Sequence, residues 1–274
     1  MAEDVTPGGD TPFADRRALR SERARRSSYR FRFGVIYVAL AAVVGAAIGT
    51  FVVLALRPAP PEAAAWSTLQ PEGSTEASAK QIADHVSKRY RLPSGNQLAV
   101  AIVGPPEVQD VAVRAIAVRP DTSLGQAEED DIDVVDTRNS IMYILCGLGE
   151  SCSIPEGEAS EERHQLLRRE ALELSLYSFK YLKGVESVVV FLPPAPKAES
   201  GTSVFLEKGD VRDELRRPLN RTLLRSQPPE LGRIDTIELG HIDRLTRPRV
   251  FQYEFQQAQE GSAILVLTPV TLSS

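Results

Sequence analysis

The sequence predicts an α+β protein in which an extracytoplasmic mixed domain, built as one or two sub-domains, follows a single N-terminal transmembrane helix. Three observations predict it. Residues 33 to 56 form a 24-residue run without charge or proline. Eight arginines lie in the 17 residues before that run, and Arg57 is the one basic residue in the 20 after it. Beyond the run, helical and strand-like periodicities mix without the strict alternation of a doubly wound fold.

The composition supports a packed domain. Of 274 residues, 42% are hydrophobic and 25% charged, which excludes disordered and fibrous classes. The net charge of -5 hides a division: residues 1–32 carry eight Arg against five acids, while residues 57–274 carry 24 basic against 32 acidic residues. A usage of 26 Arg against 6 Lys points to a GC-rich bacterial genome.

The run Phe33 to Leu56 spans about 36 Å as a helix, enough to cross a hydrocarbon core of about 30 Å. Lipid offers the backbone no hydrogen bonds, so the segment must be helical. The arginine bias places residues 1–32 in the cytoplasm as a basic tail and the remainder outside. Anionic lipid attracts each juxtamembrane arginine by about 1 kcal/mol, so no nucleic-acid partner is needed to explain them. The competing reading is a cleaved signal sequence, with Ala63, Ala64 and Ala65 as the peptidase site. Gly45 and Gly49 form a GxxxG that lets a second helix approach, which makes a homodimer through this helix a candidate.

Residues 57–76, rich in Pro and Ala, read as a spacer. Trp66 within it is either an interfacial anchor or an early core residue. Residues 77–193 form a first α+β region. It opens on a helix from Ser78 to Tyr90, with Ser78 and Gln81 as a capping box. Strands follow at Gln97 to Val103 and Val108 to Val118. In the second, Val111, Val113, Ala115 and Ala117 share one face and Ala112, Arg114, Ile116 and Val118 the other. An acidic stretch, Asp121 to Asp136, leads to a short strand over Ser140 to Leu145. A long helix begins at the cap Ser160 and ends at Gly184, burying a stripe of Leu167, Ala171, Leu174 and Tyr181. Val185 to Leu192, apolar on both faces, reads as a central strand.

Residues 194–202 form a linker, and residues 203–274 a second α+β region. It contains a short strand near Phe205 and a helix from Asp210 to Leu224, interrupted at Pro218. A strand over 233–239 and a C-terminal hairpin, 249–257 with 263–270, complete it.

Candidate chemistry is sparse. Cys146 and Cys152 enclose five residues in a segment expected to face an oxidising compartment, which predicts a structural disulfide. The acidic residues Glu128, Glu129, Asp130, Asp131, Asp133 and Asp136 lack EF-hand spacing and read as a solvated loop. His85, His164 and His241 are scattered, so neither metal nor cofactor is predicted. Arg217, Arg221 and Arg225 recur every fourth residue and offer a surface for an anionic partner. These features predict a non-catalytic interaction or scaffold domain whose partners are the lipid bilayer and an envelope protein or anionic polymer. The alternative is an anchored hydrolase-type enzyme acting on envelope material. The layout resembles, in topology alone, that of bacterial bitopic envelope scaffolds such as cell-division or secretion-assembly proteins.

Overall fold

The computed structural model describes residues 33–51, 66–104, 106–108, 111–121, 131–156, 159–194, 201–258 and 260–270. The chain divides into two units, 1–63 and 64–274. In the first, helix α1 (Phe33–Phe51) is, among the described residues, the one helix long and apolar enough to cross a membrane. Its large apolar side chains are exposed, and the Thr50 hydroxyl donates to the Ala46 carbonyl at 2.8 Å, satisfying itself inside the helix. Such a helix is compatible with a single-pass anchor and equally with a signal sequence. The basic tail lies outside the described residues.

In the second unit the chain enters the core at once. Trp66 stands edge-on to Tyr177 and Tyr181, with ring centroids 5.3 and 5.8 Å away, and its indole N–H donates to the Glu214 carbonyl. Trp66 is therefore an early core residue, and folded structure begins inside the stretch read as spacer. Helix α2 (Thr75–Ser87) starts ahead of the expected Ser78 because Ser74 is the cap: its hydroxyl accepts from the Ala77 N–H at 3.2 Å. Gln81 closes no capping box; its amide instead exchanges two bonds with the Glu72 backbone, at 2.7 and 3.2 Å.

Among the described residues nine strands form one sheet: β1 (Val100–Gly104), β2 (Glu107–Val108), β3 (Val111–Val118), β4 (Asp133–Asp136), β5 (Ser140–Cys146), β6 (Ser187–Phe191), β7 (Thr202–Glu207), β8 (Val250–Gln257) and β9 (Ala263–Pro269). Their order is β1-β5-β6-β7-β8-β9-β3-β2, with β4 also on β3. Strands β6 and β7, adjacent and antiparallel, lie on either side of the segment read as a linker, of which residues 195–200 lie outside the described ones. Strand β6 is buried along its whole length, parallel to β5 and antiparallel to β7.

The sheet curls. Strand β4 pairs with β3, the seventh strand of the order, and the three residues Thr137–Asn139 join it to β5, the second. Five strand spacings would separate β3 from β5 by about 24 Å in a flat sheet. The Thr137 hydroxyl, at the entry to β5, donates to the Val113 carbonyl at 2.7 Å and so ties the two ends together. An inner core of Phe191, Phe205, Phe251, Leu265 and Leu267 lies on the face away from the helices. The opposite face of β1, β5, β6 and β7 packs on α2 and α3 (Glu161–Tyr181), and α5 (Thr236–Thr246) packs on α3 in turn.

Four further expectations are corrected. The 108–118 strand breaks into a hairpin, Val108 facing Val111, and a register shift between Val113 and Ala115 turns Ile116 to the same core as Val113. The end of the acidic stretch is strand β4, because Val134 and Val135 pair with Ala117 and Ile116. Residues 236–246 are helical, not a strand over 233–239: the Asp235 carboxylate accepts from the Ile237 N–H at 2.8 Å and caps α5. Finally, α4 (Arg212–Arg216) stops where Arg217 turns extended before Pro218, and a short 3-10 turn, Leu219–Arg221, replaces the rest of the expected helix.

Candidate functional site

Strand β1 ends the sheet, and among the described residues no strand pairs with its outer edge. Alternation divides its side chains. Ala101 enters the core under the helices, while Val100 and Ile102 face the other way and are 38% and 49% exposed. In the β1–β5 register Ile102 lies opposite Ile144, itself 44% exposed, and Val100 lies opposite Cys146. Val100, Ile102 and Ile144 therefore make one apolar patch on the inner-core face, beyond the point where that core is covered.

The Cys146–Cys152 bond closes a loop at the end of this patch, with an S–S distance of 2.11 Å. Ser151 and Cys152 both adopt left-handed backbone, at φ of 50° and 62°, which is unfavourable for non-glycine residues. The Gly147 N–H donates to the Cys152 carbonyl and the Gly149 N–H to the Ser153 carbonyl, at 2.8 and 2.7 Å. A Cβ on Gly147 would sit 2.2 Å from the Ser153 carbonyl oxygen, so no side chain fits there. The loop carries Leu148 outward, 57% exposed. Gly147→Ala should lower the unfolding free energy by at least about 1 kcal/mol in a denaturant titration, because the clash is with backbone.

The opposite margin of the sheet differs in chemistry. Strand β4 is four residues long and is bracketed by Asp133 and Asp136, so charge guards its exposed Val134. From Leu98 to Pro106, spanning β1, the chain carries no charged residue.

The three candidate arginines do not share a helix face. Arg217 pairs with Glu214 at 3.1 Å, and Arg244 shares that carboxylate at 2.8 Å. Arg221 and Arg225 are exposed on the turn beyond it. The Arg225 carbonyl accepts from Arg169 at 2.9 Å, so the backbone of this turn is held from within. A Cβ on Gly45 or Gly49 would meet nothing within 4 Å, so that helix face is open. Glu128, Glu129 and Asp130 lie outside the described residues, and no group of three or more metal-ligating side chains occurs among the described ones.

A second cluster, which periodicity alone did not reveal, is sealed inside. On α3, Arg169 pairs with Glu238 at 2.7 Å and with Glu173 at 3.2 Å, and it donates to the Tyr90 hydroxyl at 2.5 Å. Tyr90 donates in turn to Glu173 at 2.7 Å, and Arg89 also pairs with Glu173. Arg169 and Glu238 are wholly buried, so the expected single stripe of α3 becomes burial all round from Leu166 to Phe179. Beside them, burial and the neighbouring Glu173 charge push the Glu170 carboxyl well above its ordinary range. At the rim, burial and the charge of Arg89 hold His85 below its ordinary value, 3.4 Å from the Tyr177 hydroxyl.

No protein-family model, curated protein or solved structure matches this chain. Its surfaces and buried groups carry the functional argument by themselves.

Proposed function

We propose that the protein is a single-pass, membrane-anchored interaction or scaffold protein of a bacterial envelope. In this reading α1 spans the bilayer, residues 1–32 lie in the cytoplasm, and the α+β unit faces outward and binds a partner through its surface. The observation that carries the binding role is the uncharged outer edge of β1, flanked by exposed Val100, Ile102 and Ile144. Natural sheets protect such edges with charge, proline or a covering element, and an edge left apolar is a template for another chain. Exposed Arg221 and Arg225 add a separate basic patch suited to an anionic envelope polymer.

The anchor and its direction are supported by the 24-residue apolar run and the arginines before it. Cell fractionation with protease treatment of spheroplasts tests them. The full-length chain should enter the membrane fraction, and external protease should digest the 64–274 unit while sparing residues 1–32. A full-length product in the soluble fraction, or a shortened secreted product, would sink the anchored reading. Affinity capture from detergent extract should retain envelope components, and Ile102→Lys should release those held at the sheet edge.

A further inference from the structure

We infer that the occupant of the β1 edge is β1 of a second copy of this chain, paired antiparallel about Ile102 so that the two sheets become one. The inference rests on the interaction reading above and names its partner.

Identical edge strands that pair across a two-fold axis run antiparallel, so the strand must be complementary to its own reversal. The sequence of β1, Val100 to Gly104, meets that demand. With Ile102 on the axis, Ala101 faces Val103 and Val100 faces Gly104, so no two large side chains collide off the axis. No charge opposes a like charge, because the strand has none. The same operation on β4 would place Asp133 against Asp136, two carboxylates face to face, which is repulsive. The chain therefore admits self-pairing at one end of its sheet and resists it at the other.

The apolar patch fits the same geometry. Ile102 and Ile144 stand side by side on one face, and the axis continues the row into Ile102 and Ile144 of the second copy. Four isoleucines then cover one another where each copy alone leaves two of them near half exposed. Copies confined to one bilayer with one orientation meet at high effective concentration, which favours a short self-complementary edge over a soluble peptide ligand.

The test uses the full-length chain in membranes. The only two cysteines in the sequence are bonded to each other, so an introduced thiol is the only free one. Facing residues of an antiparallel pair have Cα atoms about 4.5–5.5 Å apart, within disulfide reach. Under mild oxidation Ile102→Cys should give roughly tenfold more covalent dimer than Val134→Cys, a thiol on the exposed but guarded β4 edge. Wild-type protein in detergent should have the mass of a dimer by light scattering, and Ile102→Lys should shift it to monomer with its circular dichroism unchanged.

Equal crosslinking by the two cysteine variants would overturn the pairing. So would a dimer that survives Ile102→Lys but is lost in Gly45→Leu/Gly49→Leu, since α1 would then hold the copies together. A wild-type monomer that still captures envelope components through the edge would overturn the inference while leaving the interaction reading intact. Conversely, a dimer formed by a soluble product would overturn the anchor and leave the pairing standing.

Discussion

Arg169→Met should lower the unfolding free energy of the 64–274 unit by about 3–5 kcal/mol, the usual consequence of removing one member of a buried ionic network. The guanidinium has no exposed surface, and neither has Glu238, its partner at 2.7 Å. Methionine fills much of the same volume, so the loss comes from stranding Glu238 and depriving Glu173 of one counter-charge rather than from a cavity. The Tyr90 hydroxyl loses its donor as well, and the Arg225 carbonyl loses the bond that fixes the turn carrying the exposed arginines. Replacing both members, as Arg169→Met/Glu238→Leu, removes the stranded charge and should recover at least about 1 kcal/mol of the loss. Chemical denaturation followed by circular dichroism measures both. A loss under about 1 kcal/mol for the single variant would mean that water reaches the network.

This network also lies beyond what local sequence pattern shows. Elements with strong local signals were legible: the apolar run of α1, the central strand around Val188 to Leu192, the long helix capped by Ser160, and the hairpin that turns at Gly261. Errors arose where distant contacts override local pattern. Alternation puts Val113 and Ile116 on opposite faces of β3, but the register shift against β9 brings both inside. Nothing local shows that α5 will cover Arg168 and Arg169, or that Arg89 and Tyr90 will close over Glu173. The Asp235 cap with Glu238 three residues on was a usable sign of α5, since acidic residues at those positions suit a helix start. The β1 edge could not be read as an edge at all, because strand order is a property of the whole sheet.

Glu170, next along α3, should respond in the opposite sense. Its carboxyl is buried, and neither oxygen has a hydrogen-bond partner among the described residues. Burial first, then the charge of Glu173, raises its pKa well above 4.5, while Arg169 acts in the lowering direction. Between 4.5 and that raised value the native state keeps a proton that the unfolded chain has released. Unfolding is then favoured progressively as pH rises through this window, so Glu170 costs the protein stability near neutrality and costs least in acid. Glu170→Leu removes both the unsatisfied carboxyl and the proton linkage. It should stabilise the unit by about 1–3 kcal/mol at pH 7, with the gain shrinking as pH falls toward 4.5. Unfolding free energies of both proteins at a series of pH values provide the measurement. A difference independent of pH would mean that Glu170 titrates as it does in the unfolded chain, and a less stable leucine variant would mean that its carboxyl has a partner in solution.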